Sequence, residues 1–240
     1  MRGGQDRYLV TCEHGGNHVP TPYQHLFASR EALLDSHRGW DPGALFLARQ
    51  LARALKAPLF YATVSRLVID LNRSIGHSRL YSEVTRAAPR EVRKEILLHH
   101  YLPYRNRVEE HIVREVARGH RIVHLSSHSF TPVLHGDERK ADVGLLYDPA
   151  RRGEVALSRL WQAALKASAS ELRVRRNYPY TGKSDGFTAY LRRQFSVQDY
   201  VGIELEINQK HVTPDVGSWR DLRARIVSTL LDVLETHEIP

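Results

Sequence analysis

RYLVTCEHGGNHVP, residues 7–20, is an apolar run that ends abruptly in an acid, a histidine, two glycines, an asparagine and a second histidine. Leu9, Val10, Thr11 and Cys12 suit a buried extended backbone, and Gly15 and Gly16 let the chain turn tightly out of it. A plain strand-to-loop turn needs the glycines but none of the polar groups around them. The stretch reads as a strand over 7–13 that delivers chemistry at its carboxyl end.

The pattern recurs downstream. RIVHLSSHSF (121–130) is a buried strand with a polar end, and YVGIELEIN (200–208) is a strong strand carrying two glutamates. Further strands are predicted at PLFYATV and RLVIDLN (59–64 and 67–71), DVGLLYD (142–148) and ELRVRRN (171–177). Helices are predicted between them. The first spans 41–58, with Asp41 in position to cap it, Pro42 in its first turn and an apolar side of Leu45, Leu47, Ala48, Leu51, Ala54 and Leu55. Others span 89–120, broken or kinked at Pro103, then 153–169 and 218–237. Strands alternating with helices predict a single domain over 1–240, an α/β sandwich with a mixed or largely parallel sheet. Sites in such sheets form beyond the carboxyl ends of the strands, where the polar clusters of this chain fall.

Composition sets the bounds. The 240 residues are 42% hydrophobic and 26% charged, which fits a globular protein and not a disordered one. No apolar run is long enough to cross a membrane, and MRGGQDR lacks the apolar stretch of a signal peptide. Cys12 is the only cysteine, so an intramolecular disulfide and a cysteine-rich zinc site are excluded, and a reducing cytoplasm is the expected location. The net charge of +8 is scattered over helical faces with no nucleic-acid-binding motif, so small anionic substrates are expected and nucleic acid is not.

Four segments place polar groups at strand ends: CEHGGNH, IDLNRS, LSSHSFTP and GIELEINQ. His14 and His128 each follow an apolar strand, and two imidazoles with an oxygen ligand make a catalytic zinc site. His18, His99, His100, His111, His120 and His124 are read as surface, helix-face or strand positions. In IDLNRS, Arg73 offers a planar fork for a carboxylate and Asn72 a further donor, while an Arg–Asp pair tying the loop is the alternative. Glu204 and Glu206 share one face of their strand, where a buried carboxylate demands a partner or a metal. One of them suits a general base.

VIDLNR, HSFTP and GIELE, following a histidine loop in this order, resemble the zinc carboxypeptidase superfamily. CEHGGN, WDPGA, SRLVIDLNRS, HSFTP, YPYTGKSDGFT and IELEINQ are together similar to its N-formylglutamate amidohydrolase branch, over residues 8–210. The resemblance implies a three-layer α/β/α sandwich of carboxypeptidase type that holds one zinc ion. It implies His14 and His128 as ligands, Asn72 and Arg73 as holders of a substrate carboxylate, and Glu206 as the catalytic glutamate. Tyr180, Thr181 and Lys183 lie in a loop that resembles one closing over substrate. The implied reaction is hydrolysis of a small anionic N-acyl amino acid, N-formyl-L-glutamate to formate and L-glutamate, a step of histidine breakdown, in a monomer or small homo-oligomer. Another N-acyl amino acid, a peptide, or a non-catalytic binding role on the same fold are the alternatives.

One position departs from the carboxypeptidase pattern. Asn17 stands where the superfamily has a glutamate ligand, and an amide oxygen binds zinc less well than a carboxylate. Asp41, in WDPGA, is the leading candidate to complete the site, with helix capping as its other reading. Glu13 is a third candidate, although alternation along a strand turns it away from His14.

Overall fold

The computed structural model describes residues 5–212 and 216–240. The leading MRGG of the segment read above for a signal peptide lies outside the described residues. The strands are β1 (Asp6–Cys12), β2 (Leu59–Tyr61), β3 (Arg121–Phe130), β4 (Val133–Leu134), β5 (Asp137–Glu138), β6 (Val143–Leu146), β7 (Val174–Arg176) and β8 (Tyr200–Asn208). The helices are α1 (Glu31–Asp35), α2 (Ala44–Ala54), α3 (Glu83–Arg86), α4 (Arg90–Ile96), α5 (Leu102–Ala117), α6 (Arg152–Ser168), α7 (Phe187–Gln194) and α8 (Val216–Thr236).

Six strands form one sheet in the order β2-β1-β3-β8-β6-β7, and β4–β5 is a separate hairpin. β2, β1, β3 and β8 run parallel; β6 is antiparallel to β8, and β7 is parallel to β6. Alternation assigns the two faces. Val10, Cys12, Val123, Leu125, Val201, Ile203, Leu205 and Ile207 meet α2, α6 and α8 in one core. Leu9, Ile122 and Tyr200 meet α5 and α7 in the other. The sheet is thus mixed, mostly parallel and covered by helices on both sides.

The second face changes character along the strands. Apolar at its amino end, it becomes Thr11 and His124 at mid-strand, then Ser126, His128, Glu204 and Glu206 at the carboxyl end, all buried. Register places Ser126 beside Glu204 and His128 beside Glu206. Parallel pairing brings these carboxyl ends to one edge of the sheet.

Two sequence expectations are corrected. RLVIDLN is not a strand but a series of turns. Ser65 Oγ donates to Gly39 O at 2.9 Å and accepts from Leu67 N at 3.2 Å, Val68 N donates to Ser65 O at 2.9 Å, and Asp70 N donates to Leu80 O at 2.9 Å. The backbone is satisfied without a ladder while Leu67, Val68, Ile69 and Leu71 fill the second core. The helix expected from Asp41 starts only at Ala44, with Gly43 as its N-cap at φ 81°, and Asp41 turns its carboxylate elsewhere.

The break at Pro103 takes a specific form. A π turn at Leu97–Tyr101 joins α4 to α5, which absorbs the amide hydrogen that proline lacks. Helix α7 has no counterpart among the sequence expectations.

Candidate active site

The glycine-rich loop after β1 is shaped by close approach. A Cβ on Gly15 would lie 2.9 Å from Ala62 O, and one on Gly16 would lie 2.8 Å from Thr63 O. Gly15 N donates to Ala62 O at 2.9 Å, and His14 O accepts from Asp41 N at 2.9 Å. Asp41 is therefore pinned by its own backbone to the residue beside which its side chain works.

His14, Asp41 and His128 are buried and present one ligand atom each, all within 4.8 Å of one another. Asp41 Oδ2 stands 3.3 Å from His14 Nδ1 and 2.9 Å from His128 Nδ1, so the two δ nitrogens and this oxygen converge. The far nitrogens are held by carboxylates: His14 Nε2 lies 2.7 Å from Asp70 Oδ1, and His128 Nε2 lies 3.1 Å from Glu13 Oε2. Carboxylates at both Nε2 positions favour Nε2–H, which would leave each Nδ1, beside Asp41 Oδ2, to ligate a metal ion, the arrangement typical of metal-bound histidine. Further bonds brace the carboxylates. Tyr104 Oη donates to Glu13 Oε1 at 2.9 Å and Ser126 Oγ to Glu13 Oε2 at 2.7 Å. Arg66 donates to Asp70 Oδ2 at 2.8 Å and to Asp41 Oδ1 at 3.3 Å. The donor set of two imidazoles and one carboxylate fits a divalent metal ion with room for further ligands.

Electrostatics separate the acids into two kinds. Burial pushes the Glu13 and Asp41 carboxyls up, but their bonds to the histidines, with the histidines' charge, outweigh it and hold both well below the usual range. Asp70 is also held low against burial, by Arg66 and then His14. His128, which burial alone would lower, is raised well above its ordinary value by its bonds to Asp41 and Glu13. Glu206 behaves oppositely. Burial pushes it up to about 8, the nearby charge of His128 opposing and those of Asp41 and Glu204 adding to the rise. Its Oε2 is buried without a hydrogen-bond partner.

Asn17 does not join the cluster: its Nδ2 donates to Asp35 Oδ1 at 2.8 Å toward solvent, and Asp41 converges on the histidines instead. Asn72 is buried, accepts from Phe187 N at 2.6 Å and points Nδ2 at His128 Nε2 at 3.5 Å. Arg73 lies at the border. It donates to the carbonyls of Asp185 and Asn72, while its buried Nε has no hydrogen-bond partner. Glu204 accepts from Thr188 Oγ1 and lines the face beside Glu206. Tyr180 accepts from Arg139 at 3.1 Å, Thr181 Oγ1 pairs with Ser184 Oγ at 3.0 Å, and Lys183 is exposed.

Sequence reasoning missed the braces. Glu13 was expected to point away from His14, but β1 ends at Cys12, and both residues stand in the turn beyond it. The pair tying IDLNRS is Arg66–Asp70, not Arg73–Asp70. The spacing of Arg66 and Asp70 carried no signal once the segment was read as a strand.

The mostly parallel sheet, its flanking helices and the histidine–carboxylate cluster at its strand ends are those of an amidohydrolase. The chain belongs to the N-formylglutamate amidohydrolase family, whose sequence model matches residues 6–213. A solved gene product of Agrobacterium tumefaciens is 30% identical over 98% of this chain and 93% of its own, with a TM-score of 0.81. The N-formylglutamate amidohydrolase of Ralstonia eutropha JMP134 shares the fold at 19% identity, with a TM-score of 0.71 over 97% of this chain and 94% of its own. No curated protein matches the chain. Among the described residues, no helix is long and apolar enough to cross a membrane.

Proposed function

We propose that this chain hydrolyses the N-acyl amide of a small carboxylated amino acid, N-formyl-L-glutamate foremost, to formate and L-glutamate, using one zinc ion held by His14, Asp41 and His128. The observation that carries the reading is the convergence of three buried ligand atoms beside Glu206, a glutamate with one carboxylate oxygen left free. A zinc ion there supplies Lewis-acid chemistry, polarising a carbonyl and acidifying water.

The chain's own groups do the rest. Glu206 accepts a proton at its free oxygen as water adds to the acyl carbon, then gives it to the amide nitrogen as the C–N bond breaks. A buried carboxylate paired in register with His128 is placed to carry that proton from water to amine. Asn72 turns an amide toward His128 at the edge of the cluster, and Arg73 brings the charge for a substrate carboxylate. Asp70 and Glu13 keep both imidazoles in the ligating tautomer. Burial of the cluster excludes bulk water, which strengthens each of these interactions.

The test is formate release from N-formyl-L-glutamate by purified protein, alongside a panel of N-formyl and N-acetyl amino acids. Release should vanish after chelation and return with zinc. Zinc-loaded protein that liberates no amine from any member of the panel would overturn the reading.

A further inference from the structure

Arg139, in the segment between β5 and β6, is a cation that neither the metal cluster nor the water-activating glutamate uses. Among the described residues it makes no ion pair with a carboxylate. It is nonetheless firmly placed. Its backbone nitrogen donates to Pro132 O at 2.7 Å, and its carbonyl accepts from the buried Asn208 Nδ2 at 2.8 Å. Its guanidinium lies 5.9 Å from the Phe130 ring centre and 5.1 Å from that of Tyr180, and it donates to the Tyr180 hydroxyl at 3.1 Å.

The register fixes where this group stands. Phe130 and Asn208 are partners on β3 and β8, each two residues beyond His128 and Glu206 and on the same face. Two strand residues span about 7 Å, so Phe130 and Asn208, which hold Arg139, stand about that far beyond the ligand-bearing positions along the strands. A glutamyl side chain carries its second carboxylate about 5 Å from its amide nitrogen. With the acyl group at the cluster and one hydrogen bond at the far end, that length matches the gap.

We infer that Arg139, braced by Tyr180 and Phe130, is the specificity residue that reads a second substrate carboxylate, so that N-acyl dicarboxylic amino acids are preferred over neutral ones. The identity of the reacting group rests on the amidohydrolase reading above; the subsite rests on the placed, acid-free guanidinium. Arg73, whose donors face the backbone carbonyls of Asp185 and Asn72, serves the carboxylate next to the amide. The planar fork of Arg139 accepts a carboxylate bidentately and offers a neutral amide much less.

The experiment compares N-formyl-L-glutamate with N-formyl-L-glutamine, its isostere with one charge fewer, in wild type, Arg139→Gln and Arg139→Lys. Wild type should favour the glutamate substrate by about 10- to 100-fold in kcat/KM, the range expected for hydrogen bonds to a charged group. Arg139→Gln should bring that ratio close to one, mainly through KM, and Arg139→Lys should restore part of it. A ratio that survives in Arg139→Gln, or is already one in wild type, overturns the subsite while the amidohydrolase reading stands. Calorimetry of L-glutamate and L-glutamine binding to the same zinc-loaded proteins separates the two ideas independently of turnover. Glutamate preference lost in Arg139→Gln supports the subsite even if no amide is cleaved, and equal binding of the two amino acids by wild type overturns it.

Discussion

At the scale of the residue, Glu206 and Asp70 show how one environment sets opposite roles for two acids. Glu206 is raised to about 8 chiefly by burial, so in the metal-free protein the folded state binds a proton that the unfolded state has released. The associated stability is complete below the ordinary glutamate range and is lost as pH rises through about 8. Glu206→Gln removes this loss. In chelator, its melting temperature should exceed that of wild type little at about pH 5 and by on the order of 10 °C at about pH 9. A difference independent of pH would show that Glu206 is not held protonated. With zinc, the same variant should lose about 100- to 10,000-fold in kcat while still binding the metal. Asp70→Asn acts on the ring of His14 and not on the reaction, so it should weaken zinc binding about 10- to 100-fold, read by competition with a chromogenic chelator. Unchanged zinc affinity would remove Asp70 from the support of the site. His14, His128 and Glu206 stood out in the sequence because each breaks an apolar strand. Asp70 and Arg66 did not, since their partners come from distant segments and an i,i+4 pair in a short apolar run has no signature of its own.

At the scale of the element, the polar strand ends were legible and the loops between them were not. Period-two alternation put Glu204 and Glu206 on one face, and parallel pairing of β3 with β8 set them beside Ser126 and His128. The same rule misled at Glu13, because alternation holds only while the chain remains in the ladder, and β1 had already ended. It misled again at 67–71, where β-branched and leucine side chains signal burial whether or not the backbone pairs. WDPGA was read as the source of a further ligand, with a helix cap as the alternative, and its aspartate faces the histidines because Gly43 takes the capping position with a left-handed backbone. A Cβ there would also meet Val212 Cγ2 at 2.8 Å and Trp219 Cζ2 at 3.1 Å. Gly43→Ala should therefore cost about 1–3 kcal/mol through backbone strain and crowding. It should also lower zinc affinity, since Asp41 lies two residues before it. Wild-type melting together with wild-type zinc affinity would show that the loop does not depend on this glycine.

At the scale of the whole molecule, the cluster gathers the ends of β1, β3 and β8, the entry to α2 and the turns at 65–74. Glu13, Asp41, Asp70, Glu204 and Glu206 are all buried here, facing the charge of Arg66 and two imidazoles. Placing so many carboxyl groups in one desolvated site is costly unless a cation joins them. A divalent ion bound there would add that charge and tie segments far apart in the chain, so its binding free energy would become stability of the fold. Zinc at about 100 times its dissociation constant should add roughly 2.7 kcal/mol, raising the melting temperature by about 5–10 °C over chelated protein. The rise should grow with the logarithm of zinc concentration, as mass action requires. His14→Ala and Asp41→Ala should each abolish most of it, whereas Asn17→Ala, whose amide turns to Asp35, should keep it in full. Equal melting of chelated and zinc-loaded wild type would mean that the three ligand atoms do not hold the ion. Loss of the zinc response in Asn17→Ala would return that residue to the ligand set and displace Asp41 from it.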